Sequence, residues 1–191
     1  MAKQHQVRLM AAVLANPSRV GLIAAVLSTA AALSGCTTMR QPAAEVPFYI
    51  HANFDEAAAQ AMLAPGNNAI KGNAFMRQKG GGVVTCAGSS VYLTPATAYA
   101  IERMKLVYGP VDSGYARRIP PLTPEPPAYF STGRSEKCDA QGNFVFADLA
   151  DGDFFITTVV SWQVASAQQG GALMQRVRLS GGRIVSIVMS S

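Results

Sequence analysis

From Asn68 onward, apolar and polar residues alternate in short runs broken by glycine, the pattern of strands that bury one face. Ala69–Arg77 and Val83–Leu93 flank the turn Lys79-Gly80-Gly81-Gly82. Further on, Gly142-Asn143-Phe144-Val145-Phe146 alternates up to Leu149, and Asp151-Gly152 turns the chain into the β-branched, aromatic run Phe155–Trp162. Leu173, Gln175, Val177 and Leu179 then lead through Ser180-Gly181-Gly182-Arg183 to Ile184–Met189, which predicts a closing hairpin. Short strands with turns at this spacing predict a mostly β fold, an antiparallel β-sandwich.

Two segments switch to helical spacing. Asn53 as cap, Asp55 and Glu56 in the first turn, and Pro65-Gly66 as a stop predict a short helix with Phe54, Ala58, Ala61 and Met62 on one face. A second helix is predicted over Ala98–Val107, opened by Thr94-Pro95 and ended by Gly109-Pro110. Between Gly109 and Arg134 lie six of the eleven prolines, a density that argues against sheet pairing and for an extended surface loop. That loop is either a crossover between sheets or a binding excursion displaying Tyr115, Arg117, Arg118, Tyr129 and Phe130. The predicted domain, one β-sandwich with one or two short helices, runs from 53 to 191.

The N-terminal third reads differently. Lys3, Arg8 and Arg19 precede a fourteen-residue uncharged run, Val20–Leu33, and no acidic residue comes before Glu45. That run is shorter than the ~20 residues of a spanning helix, and its layout is that of an export signal. The close, Leu33-Ser34-Gly35-Cys36, resembles a bacterial lipobox. The resemblance implies cleavage of 1–35, acylation of Cys36, and a tether over 36–52 carrying Pro42 and Pro47. Two or three acyl chains hold a protein firmly, since each buried methylene contributes about 0.8 kcal/mol. Thr37, in place of Asp, points to the outer membrane, facing the periplasm. Loss of the leader takes net charge from +5 to +2 and leaves Lys71, Arg77, Lys79, Arg103, Lys105, Arg117 and Arg118 scattered, which argues against nucleic acid.

Three cysteines are present. Acylation of Cys36 leaves an even pair, and in an oxidising periplasm Cys86 and Cys138 are expected to form a disulfide. The competing reading makes Cys86 a nucleophile in Thr85-Cys86-Ala87-Gly88. It lacks a nearby base, because the one histidine after the leader is His51.

Ile70-Lys71-Gly72-Asn73-Ala74-Phe75, Val91-Tyr92-Leu93-Thr94-Pro95 and the run Asp139–Phe154 resemble the carboxypeptidase-regulatory-like, or transthyretin-like, β-sandwich, over about residues 69–164. The helical insert after Pro95 and the proline loop depart from that pattern. The resemblance implies an envelope module without catalytic residues, and no phosphate loop, zinc motif or Ser-His-Asp order contradicts it. Asp139, Asp148, Asp151 and Asp153 form only a fragment of a cation loop, and neither metal nor cofactor is expected. The function expected is that of a lipid-anchored adaptor binding an envelope protein. The alternative is a carbohydrate or peptidoglycan binder using Trp162, Tyr92 and the proline-loop aromatics. Oligomeric state is left open.

Overall fold

The structure, a computed structural model, describes residues 45–191. Cys36 and the expected export signal lie outside the described residues. The chain enters through β1 (Phe48–Tyr49) and α1 (Glu56–Met62). The cap of α1 is Asp55, whose carboxylate accepts from the Ala58 N–H at 2.9 Å. Asn53 was expected in that role, but the acid two residues later has the reach. The described part of the expected tether is docked onto the domain: β1 pairs in parallel with β6 (Leu122–Thr123), and Ile50 is fully buried.

β2 (Asn68–Arg77), β3 (Val83–Thr85), β8 (Asn143–Leu149) and β11 (Ile184–Met189) form one sheet. β4 (Ser90–Pro95), β5 (Ser113–Ala116), β7 (Arg134–Lys137), β9 (Gly152–Val164) and β10 (Ala167–Leu179) form the other, in the order β5-β10-β9-β4-β7. The two pack as a β-sandwich. Its main core lies between them: Ile70, Ala74 and Met76 of β2 and Phe144, Phe146 and Leu149 of β8 meet Val91 and Leu93 of β4. Phe154, Ile156 and Val160 of β9 and Leu173, Val177 and Leu179 of β10 complete it. Gly72 makes this packing possible. A Cβ there would stand 2.0 Å from the ring of buried Phe144, so the ring lies directly on the backbone of β2.

Several connections differ from the expected ones. The run 83–93 is two strands in different sheets, and the chain switches at Cys86–Ser89. The disulfide Cys86–Cys138 fastens this switch, with Cα atoms 5.7 Å apart. There the Cys86 N–H donates to the Ala74 carbonyl of one sheet, and the Cys138 N–H to the Ser89 carbonyl next to the other. With both sulfurs bonded, Cys86 is not a nucleophile. Gly181-Gly182 does not close a hairpin. It carries the chain across the sandwich, so that β11 pairs in parallel with β2, from Ile184↔Ala69 to Met189↔Ala74. The long hairpin is β9–β10, turned at Ala165, whose φ is 52°. Asp151-Gly152 likewise passes from β8 to β9 in the other sheet.

α2 (Ala98–Tyr108) and α3 (Pro127–Ser131) lie in the segment covering the outer face of the five-stranded sheet. Thr97 caps α2, accepting from Ala100 N–H, while Thr94-Pro95 ends β4. Gly109 stops α2 with φ 83°, a conformation that favours glycine. The proline segment is more structured than a loop: its proline-free stretch 113–116 becomes edge strand β5, and Pro127 opens α3. Against the outer face, Tyr99, Ala100 and Met104 of α2 pack with Ile50, Leu122, Tyr129, Phe155 and Met174 as a second core.

Candidate functional site

Along β9 the side chains alternate. Phe154, Ile156 and Val160 enter the sandwich, and Phe155, Thr157 and Val159 face outward. On β4, Val91 and Leu93 point in and Tyr92 points out, beside Thr157 in register. The outer core covers only part of this face. What it leaves open is a cleft of about 550 Å³, floored by Tyr92, Thr157, Val159 and Ala172. Arg103, Met104, Val107 and Tyr108 of α2 form one wall, and Ile119, Tyr129 and Phe130 close it from the proline segment. Tyr92 is 52% exposed and Phe130 61%, an unusual display for large rings.

The wall is held by a polar network on an aromatic frame. Tyr129 packs against Tyr99 with ring centroids 4.8 Å apart and the planes inclined by 60°, and Phe54 meets both edge-on. The Tyr99 hydroxyl donates to the Pro124 carbonyl at 2.7 Å, tying the proline segment to α2. Arg103, buried on α2, reaches Glu125 at 2.6 Å and lies 5.3 Å and 5.2 Å from the centroids of Tyr129 and Phe130. Burial disfavours its charge, and the Glu125 carboxylate together with the Tyr129 and Tyr99 phenols outweighs that effect, so the guanidinium stays protonated. Burial pushes the Tyr129 and Tyr108 phenols up to about 12, with the positive charge of Arg103 acting against it. Glu102, on the same helix, accepts from the His51 and Ala52 N–H groups at 2.9 and 2.8 Å, and these bonds hold its carboxyl below the usual range.

Of the five residues singled out on the proline segment, the structure brings Phe130 and Tyr129 to this cleft, the first exposed and the second buried as a support. The other three sit elsewhere. Tyr115, on β5, donates its hydroxyl to the Gly170 carbonyl at 3.1 Å. Arg117 is exposed, and exposed Arg118 pairs with Glu45. Tyr92 joins the cleft, but Trp162 does not. It is half-buried against the sandwich core, on the opposite face of the sheet. Arg103 and the α2 wall had no signal in the sequence beyond a helix carrying Glu102, Arg103 and Lys105 among apolar residues.

Three of the four aspartates have separate structural roles. Asp139 accepts from the Gln141 and Asn143 N–H groups and the Asn143 side chain in the turn before β8, and its carboxyl is lowered accordingly. Asp151 accepts from Asn68 and the Gly181 N–H, pinning the passage into β11. Asp153 binds Arg178 at 2.8 Å and Arg176 at 2.7 Å, which holds its carboxyl low. Asp148 is exposed at φ 55°. Among the described residues no cluster of three His, Cys, Asp or Glu side chains converges on a point.

No family model matches the chain, and no curated protein matches it. Its fold is similar to that of a solved protein from Pseudomonas aeruginosa, provisionally named a carbohydrate binding protein. The TM-score is 0.60 at 22% identity, over 73% of this chain and 99% of that one. At that identity the likeness is one of fold.

Proposed function

We propose that this domain binds carbohydrate, without catalysis, in the cleft between the outer face of the five-stranded sheet and α2. The observation that carries the reading is the pair Tyr92 and Phe130, two exposed rings lining one cavity of about 550 Å³, a volume suited to one or two sugar rings. An exposed aromatic face is a rigid apolar surface for the C–H side of a pyranose, and it loses little side-chain entropy on binding. Among the described residues lining the cleft there is no carboxylate, histidine or thiol, which supports binding rather than hydrolysis. The carbohydrate-binding name of the solved protein of similar fold favours the same reading over an adaptor. We further propose that an acylated Cys36 holds the module at the outer membrane, facing the periplasm, where peptidoglycan and other envelope glycans are at hand.

Isothermal titration of residues 45–191 against a panel of envelope-type oligosaccharides tests the reading. Tyr92→Ala and Phe130→Ala should each weaken binding by about tenfold, on the scale of one lost aromatic contact. Trp162→Ala should leave affinity unchanged. A loss confined to Trp162→Ala would place the sugar on the other face and sink the proposal.

A further inference from the structure

The polar groups of the cleft are almost all donors or weak hydroxyl acceptors. Its described lining carries no Asp, Glu, Asn, Gln or His, so the side chains that most often accept from neutral sugar hydroxyls are missing. What it has is Arg103, with the hydroxyls of Ser131, Ser135 and Thr157 among the other lining groups. Arg134 also borders the cleft, but its guanidinium turns away, donating to the Ala147 carbonyl at 2.5 Å and lying over Phe146.

Arg103 has five N–H donors in a planar fork. Glu125 takes Nη1. No buried side-chain nitrogen among the described residues lacks a partner, so the donors left over reach solvent, and Arg103 meets solvent at the cleft. The rings of Tyr129 and Phe130 beside the guanidinium restrict its plane. A fixed cationic fork beside two stacking rings, with no acid in the lining to repel an anion, matches a sugar that carries a carboxylate.

Resting on the carbohydrate reading, we propose that the ligand is an acidic carbohydrate, a uronic acid or a lactyl-bearing sugar, with its carboxylate on the free edge of Arg103 and its ring on Tyr92 or Phe130. Glu125 then acts as an internal competitor. It holds the arginine in place and lowers the attraction for a second carboxylate.

The test uses residues 45–191 and paired probes: oligogalacturonates, oligoglucuronates, oligomannuronates and muramic acid glycosides, each as free acid and as neutral methyl ester. At least one acid should bind about tenfold or more tighter than its ester, since a charge-assisted bond is about twice a neutral one. Glu125→Gln should strengthen the acid severalfold and leave the ester alone, and Arg103→Gln should equalise the two. Because Arg103→Gln also disturbs packing, the wild-type domain supplies a second reading. Raising salt from about 0.05 to 0.5 M should weaken the acid and not the ester. Equal binding of acid and ester, insensitive to salt, overturns the acidic-ligand proposal and leaves carbohydrate binding standing. Failure of every probe in both forms, with the fold intact, overturns both.

Discussion

The five-stranded sheet has two faces covered in opposite ways. On one, the sandwich core is continuous, aliphatic and phenylalanine-rich, closed by a second sheet and fastened by Cys86–Cys138. On the other, two short helices and the proline segment cover part of the sheet with tyrosines, a methionine pair and an ion pair between buried Arg103 and exposed Glu125, and leave a cleft. On the first face the one hydroxyl that β9 turns inward, that of Thr158, is buried and spent on the Ser90 carbonyl. The second has rings whose apolar bodies pack and whose polar tips need partners, a covering suited to a site that must admit something. On the proposed reading, stability and recognition are thus divided between the faces of a single sheet.

Breaking the disulfide should separate them most sharply. Replacing both cysteines with alanine opens a loop with a sequence separation of 52 and should cost about 4 kcal/mol in urea unfolding, with sugar affinity of the folded fraction unchanged. An equal loss of affinity would show the faces to be coupled. Alkali tests the outer face instead. Tyr129 and Tyr108 titrate near 12 in the folded domain, against about 10 unfolded, so the unfolded chain releases its protons first as pH rises. Stability is fully present below pH 10 and should fall between about 10 and 12, by roughly 2–3 kcal/mol for Tyr129 alone. Tyrosinate absorbance near 295 nm and a parallel melt read this directly; titration of both phenols at 10 in the folded domain would contradict it. The smallest effect is the most telling one. Tyr92→Ala and Phe130→Ala, which weaken binding in the proposal above, should shift unfolding by less than about 0.5 kcal/mol, because both rings are mostly in solvent.

The strands were largely legible because each has one buried face. β2 alternates buried and open residues along its length, and β9 is long, β-branched and aromatic. Their partners were not legible. Gly181-Gly182 marks a turn and says nothing about where the chain lands, and it lands beside β2. The true hairpin turns at Ala165-Ser166, a pair with no strong turn chemistry. Thr94-Pro95 reads as the helix opening, yet Thr97 is the cap, because Thr94 and Pro95 belong to β4, paired with Phe155 and Phe154. As for the site, Tyr92, Tyr129 and Phe130 stand out as aromatics, but the face each occupies depends on register. A shift of one residue in β4 would have sent Tyr92 into the core and Leu93 into the cleft.

The parallel pairing of β11 with β2 also bears on the order of events in folding. β2 is the middle strand of its sheet, and its side chain at Asn68 accepts from the Arg183 N–H across a separation of 115 residues. Neither β8 nor β11, the strands on which β2 depends, is near it in the chain. Hairpin β9–β10 is local and can form early, whereas the sheet built on β2 must wait for a long loop to close. The end of β2, Phe75–Arg77, can pair at once with nearby β3, but a chain emerging from its N-terminus leaves Asn68–Ala74 without β8 and β11 until almost the whole domain has appeared, and the sandwich closes late.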